Sequence, residues 1–278
     1  MSTENRKIIY YTDELNEEFS TAKIKPRVID ENYKYIHKNP LWNFCSYALQ
    51  NFISMPIKVL YQKIKFKLKY VGKEKLKPYK KQGYFIYVNH TQPFADTFIP
   101  SVAVYPKRNF LIVNPENVSM KGMHTLVEML GAIPIPSNKE AMKNFLETIE
   151  KRIKSNYSIT IYPEAHIWPY YTKIRPFKPV SFKYPVKLDT PVFCMTNTYQ
   201  SYGKKNIMKE SKRNVKSKNK SYKEKIKIVT YIDGPFFANK ELTPKEQQQD
   251  LRNRVYNCMV ERSKNSNIEH IKYVKSQK

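Results

Sequence analysis

A chain of 278 residues is long enough to bury a substantial core, and 41% hydrophobic with 14% aromatic residues argues against global disorder. The formal charge of +26 points to an anionic neighbour, whether membrane, nucleic acid or acidic protein, although lysine-rich solubilising background would give the same number. Only six glycines, at 72, 83, 122, 131, 203 and 234, exclude a dinucleotide fingerprint, a P-loop and a GxSxG nucleophile elbow. Three widely spaced cysteines, Cys45, Cys194 and Cys258, match no zinc spacing and suit a reducing, cytoplasmic setting.

Residues 1–38 are polar, show no apolar signal-peptide core and no sustained period, and read as an irregular arm without chemistry. From Leu41 to Met55 the chain is almost uncharged. Asn43, Ser46, Gln50 and Ser54 make a narrow polar stripe at helical spacing, which predicts an amphipathic helix within 39–60 that Pro56 ends. At 1.5 Å per residue it is too short to span about 30 Å of hydrocarbon, so it lies on a membrane surface or packs on the domain. Lys63 to Tyr70 alternates lysine with apolar residues, the period of a strand.

Beyond it, strands and helices alternate over 61–264. Buried strands are predicted at Tyr84–Val88, Asn109–Val113, Ser158–Tyr162, Pro191–Thr198 and Ile226–Ile232. Helices are predicted at Met120–Leu130 with Gly131 as C-cap, at Asn138–Ser155 behind a Ser137/Glu140 capping box, and for about 20 residues after Thr243-Pro244 with Glu246. A proline-rich aromatic loop, 163–179, and a lysine-rich stretch, 203–225, read as a mobile basic insertion, interrupt the pattern, and 265–278 is a polar tail. The fold class is α/β, a single domain with a mixed, mostly parallel sheet flanked by helices.

His90 follows a buried strand, and Asp96 stands six positions on. A neutral imidazole can take a proton from a hydroxyl while a carboxylate fixes its tautomer. That pair alone is common by chance. Its setting is less so: Asn89-His90-Thr91-Gln92-Pro93-Phe94-Ala95-Asp96, then Gly131-Ala132-Ile133-Pro134-Ile135, Tyr162-Pro163-Glu164-Ala165 and Thr190-Pro191-Val192 resemble, in order, the four blocks of the glycerolipid acyltransferase family, over roughly residues 62–262. Lysophosphatidate acyltransferase is the best-known member. Five residues rather than the family's four separate His90 from Asp96. Pro136, Ser137 and Asn138 stand where its arginine is expected, with Lys139 the nearest cation, and Ala165 and His166 replace its Gly and Thr.

The resemblance implies attack of a lipid hydroxyl, such as that of 1-acylglycerol-3-phosphate, on an acyl-CoA or acyl carrier protein thioester, without metal or bound cofactor. It implies His90 as general base, Asp96 as its orienter and Glu164 as a positioner. Lys139, Arg175 and Lys178 are candidates for phosphate, each equally readable as a solvated cation. His166 is a second polar group of the site or a surface-loop histidine. Partners would be a lysophospholipid, the thioester donor and an anionic membrane face, with the protein peripheral on the cytoplasmic side. Two rival readings stay open: a family-like lipid binder without catalysis, because two blocks are altered, and a basic nucleic-acid-binding protein, whose aromatics and lysines do not interleave into a groove.

Overall fold

The computed structural model describes residues 7–19, 24–92, 94, 96–207 and 221–276. Seven strands form the main sheet: β2 (Lys69–Val71), β3 (Tyr84–Val88), β4 (Asn109–Val113), β5 (Ala132–Pro134), β6 (Ser158–Ile161), β7 (Val192–Ile207) and β8 (Ser221–Phe236), in the spatial order β2-β8-β7-β3-β6-β4-β5. Strands β3 to β7 are mutually parallel, and β8 runs antiparallel to β7. The sheet is the mixed, mostly parallel one the alternation predicts.

The central strands read as continuous apolar runs because both their faces are covered. Phe85 and Tyr87 of β3, with Val192 and Cys194 of β7, pack beneath α5 (Met142–Lys154) and α7 (Pro244–Ser263). Tyr84, Ile86, Val88, Phe193 and Met195 point to the other face, toward Ala103 and Val104 of α3 (Phe98–Val104). The last helix starts as predicted, Thr243 and Glu246 exchanging the reciprocal hydrogen bonds of a capping box. Gly131 ends α4 (His124–Met129) at φ +102°, where a Cβ would meet the Asn109 carbonyl at 2.9 Å.

Several expectations give way. The predicted helix 41–55 does not stop at Pro56: α1 (Pro40–Ala48), a π-helical stretch Leu49–Ser54 and α2 (Met55–Phe66) follow one another without a break. Pro56 sits in the first turn of α2, and the wider π register just before it loosens the ladder where proline supplies no N–H. Lys63–Phe66 is therefore helix, not strand. A second spacing, Lys58, Gln62 and Phe66, all buried, overrides the alternation, and Lys67 in the left-handed region (φ 44°) closes the helix before the short strand β2.

The helix predicted from Asn138 begins at Met142, because the arm occupies its intended cap: Ser137 Oγ accepts from the Ile29 amide, and the Ser137 amide donates to the Ile29 carbonyl. The arm itself is not wholly irregular. Its strand β1 (Lys7–Tyr11) pairs in parallel with β9 (Ile271–Lys275) from the supposed tail. The lysine-rich stretch 203–225 is entered from both sides by the β7–β8 hairpin, whose register runs to Ile207 opposite Ser221; residues 208–220 lie outside the described ones.

Candidate active site

The site is built at the carboxyl ends of adjacent parallel strands, the place where such sheets bind ligands. His90 leaves β3 and Glu164 leaves β6, with Tyr87 opposite Ile161 in register. His90 Nδ1 lies 2.7 Å from Asp96 Oδ2. The same carboxylate oxygen accepts the amides of Thr91 (2.7 Å) and Gln92 (2.9 Å), so the backbone just after His90 closes on the acid, and the pair is in contact despite the longer spacing. Asp96 is buried, which pushes its carboxyl above the usual range, while His90 and the two amides pull it down. With Nδ1 engaged, Nε2 is the ring nitrogen left to accept a proton.

Tyr162, which the sequence reading did not assign a role, holds this pair in place. Its ring stacks on His90 at 4.5 Å, and its hydroxyl donates to the Asp96 carbonyl at 2.6 Å. Burial first and the Asp96 charge second raise its pKa, so it remains a neutral donor. The strand end is braced from the other side. Asn89 donates to the Asn197 carbonyl (3.1 Å) and accepts from the Asn197 amide (2.8 Å), while Gln92 Nε2 donates to the Tyr199 hydroxyl (2.7 Å), which in turn donates to Thr91 Oγ1 (2.7 Å). Tyr162 borders the third block and was within reach of sequence reasoning. Asn197 and Tyr199 lie about a hundred positions away with no local signal.

Glu164 is buried and ties the two halves together: Oε2 accepts the His90 amide (3.1 Å) and Oε1 the Arg175 amide (3.2 Å). Arg175 is not available as a phosphate contact. It is fully buried, with Nε 3.8 Å from Glu164 and the guanidinium donating to the Glu164 and His166 carbonyls and lying 4.9 Å over Trp168. Burial raises the Glu164 pKa, and Arg175 opposes it. Lys139, beyond the carboxyl end of β5, and Lys178 are both exposed.

The loop after Glu164 is held by the N-terminal arm and by β9. Trp168 Nε1 donates to the Glu17 carbonyl (2.8 Å), His166 Nδ1 lies 3.0 Å from Glu18, and the Trp168 ring stacks on Tyr273 of β9 at 5.0 Å. Ala165 takes φ +62°, a left-handed conformation in which the resembling family places glycine.

The fold also gathers what the cysteine spacing hid: Cys194 Sγ lies 3.8 Å from Cys258 Sγ, close to Asp233. Both oxygens of Asp233 are taken by Arg262 and one of them also by Lys75, which puts cations where a metal would stand.

The fold thus brings a histidine and a carboxylate into contact at the strand ends of a mostly parallel α/β sheet. Residues 67–197 of the chain match the Acyltransferase family model. Its fold is similar to that of the crystal structure of the 1-acyl-sn-glycerophosphate (LPA) acyltransferase PlsC from Thermotoga maritima, with a TM-score of 0.50 and 15% identity, over 81% of this chain and 88% of that one. No curated protein sequence matches the chain.

Proposed function

We propose that the protein transfers an acyl group from acyl-CoA or acyl carrier protein to the free hydroxyl of a lysophospholipid, with 1-acylglycerol-3-phosphate as the first acceptor to try, at a membrane surface. The observation that carries the chemistry is the His90–Asp96 contact at a strand end. His90 Nε2 takes the proton of the acceptor hydroxyl, the oxygen attacks the thioester carbonyl, and the thiolate leaves with the proton returned by the imidazolium. Asp96 stabilises the imidazolium, while Tyr162 and Glu164 fix the ring and the turn. Lys139 and Lys178 remain as cations for an acceptor phosphate. The acceptor itself is suggested by the printed activity of the Thermotoga structure.

The membrane reading rests on α1, the π stretch and α2. Their polar stripe of Ser46, Gln50, Ser54, Lys58 and Gln62 faces the domain, while Leu41, Phe44, Phe52, Ile53, Ile57, Leu60 and Ile64 are each more than half exposed. Apolar residues outward and polar inward is the arrangement a surface helix takes toward lipid. No described helix is long and apolar enough to cross a membrane. Phe94, 64% exposed between His90 and Asp96, packs on Tyr61 (5.6 Å), so the apolar face reaches the catalytic turn. Release of free thiol from each donor, across a panel of lysolipids presented in vesicles, tests the proposal. Release that depends on a lysophospholipid supports it, and release only by water or no release with any acceptor refutes it.

A further inference from the structure

A polar cleft lies at the opposite end of the sheet from His90. It is small and open to solvent, lined among others by Lys34, His37, Ser46, Arg108, Glu128 and Arg152. Arg108 immediately precedes β4, whereas the catalytic groups follow the ends of β3 and β6, which run parallel to it through β6. Two guanidinium groups meet here on one ring: Arg108 Cζ lies 4.8 Å and Arg152 Cζ 4.3 Å from the Phe110 centroid. Neither has a carboxylate at ion-pair distance among the described residues. Arg108 donates to Ser46 Oγ (2.5 Å) and the Met129 carbonyl (3.0 Å), and Arg152 to the Tyr35 carbonyl (3.2 Å), which leaves the Nε–H of each buried and unbonded. Glu128, which lines the cleft, accepts the Tyr33 hydroxyl at 2.5 Å.

Two half-buried like charges repel, and buried donors without acceptors are costly. Burial first and Arg108 second push the Arg152 pKa down to about 10. A tetrahedral dianion answers both deficits, since planar guanidinium forks match phosphate oxygens and Lys34 and His37 stand at the rim. The cavity's wall includes Asn43 and Ser46 of α1, the helix whose other side presents Leu41, Phe44 and Tyr47 to the exterior. A ligand entering beneath α1 therefore comes from the level of the headgroups on which that helix lies.

We propose that this cleft is an anion site, separate from the catalytic centre, which takes the phosphate monoester headgroup of a membrane lipid. That a phosphate binds follows from the arginines alone; that the phosphate is a lipid's rests on the membrane docking proposed above.

The test uses the full-length protein. Inorganic phosphate, compared with chloride at equal ionic strength, raises Tm saturably in the wild type, and Arg152→Gln abolishes the rise. On phosphatidylcholine vesicles doped with phosphatidate or, at equal charge, with phosphatidylglycerol, the wild type favours phosphatidate by at least about threefold, a gap of roughly 0.65 kcal/mol. Arg152→Gln removes that preference while leaving acyl transfer unchanged. Lys34→Gln, at the exposed rim, gives a partial loss and serves if Arg152→Gln misfolds. Absence of a phosphate-specific Tm shift, or a shift and preference both insensitive to Arg152 and Lys34, overturns the site. An Arg152-dependent shift without phosphatidate preference overturns the lipid source, and failure of the wild type to bind any vesicle while the shift persists overturns the docking instead.

Discussion

Arg175 and Glu164 form a unit whose removal by halves is worse than its absence. With Glu164 buried and its oxygens spent on the His90 and Arg175 amides, Arg175→Ala leaves a buried carboxylate without its cation. Loss of one partner of such a pair costs about 3–5 kcal/mol, so Arg175→Ala is expected to lower the urea midpoint sharply and to reduce transfer through loss of folded protein. A variant that keeps wild-type stability but loses acceptor affinity would restore the phosphate role the sequence suggested. Ala165 carries the opposite lesson. At φ +62° it is in a conformation that costs a residue with a Cβ about 1–2 kcal/mol, offset in part by glycine's freer unfolded chain. Ala165→Gly is expected to gain up to about 1 kcal/mol in chemical denaturation; a loss of stability would show that the methyl packs usefully. His90, Asp96 and Glu164 were legible because each stands in an ordered block, whereas the burial of Arg175 depends on Trp168 and on the arm, which no local pattern announces.

At the scale of the element, the continuous helix 40–66 concentrates two consequences. Lys58, in the stripe that faces the domain, is 4% exposed with its ammonium 5.7 Å from the Phe98 ring, and burial lowers its pKa from 10.5 to about 8. Below about 8 both folded and unfolded chains hold the proton and the penalty is complete. Between about 8 and 10.5 the unfolded chain binds more protons, so stability rises with pH. Lys58→Met is expected to stabilise by roughly 3 kcal/mol at pH 7, about 1.4 kcal/mol for each tenfold loss of proton affinity, and to flatten that rise; pH-dependent urea melts that are unchanged by the substitution would contradict it.

On the outer side, Phe52 and Ile64 are 72% and 73% exposed, so their replacement by serine spares the core. Burying such a side chain in lipid is worth about 1.5–3 kcal/mol, and each lysine near an anionic surface about 1 kcal/mol. The double variant is expected to lose at least about a hundredfold in vesicle partitioning, measured by sedimentation, with high salt weakening the wild type as well. Partitioning indifferent to the substitutions and to salt would remove the docking proposal. The helix was legible in its polar stripe but not in its length, because Pro56 reads as a stop unless the π turn before it is seen. The strand predicted at 63–70 failed over its first half because an eight-residue alternation is outvoted by burial at positions four apart.

Across the whole molecule, the alternating α/β pattern and the buried runs at β3, β4, β6 and β7 were sufficient to give the mostly parallel sheet, since those strands are apolar on both faces. The β1–β9 pairing and the clamping of Trp168 by Glu17 and Tyr273 were not legible. The pairing joins segments more than 250 positions apart and the clamp reaches Trp168 across more than 100 from either side, and nothing in a polar arm and a polar tail indicates that each completes the other. These contacts converge on the turn that presents His90, whose carbonyl accepts from the Trp168 amide at 3.1 Å.

In the proposed reaction this imidazole is the base of an acyl transfer. Its most direct test is thiol release from an acyl thioester with 1-acylglycerol-3-phosphate in vesicles, compared between wild type and His90→Ala, with circular dichroism showing that both are folded. The expected result is a loss of about a hundredfold to ten-thousandfold in turnover, with a smaller loss for Asp96→Asn. A folded His90→Ala protein that turns over at close to the wild-type rate would contradict it.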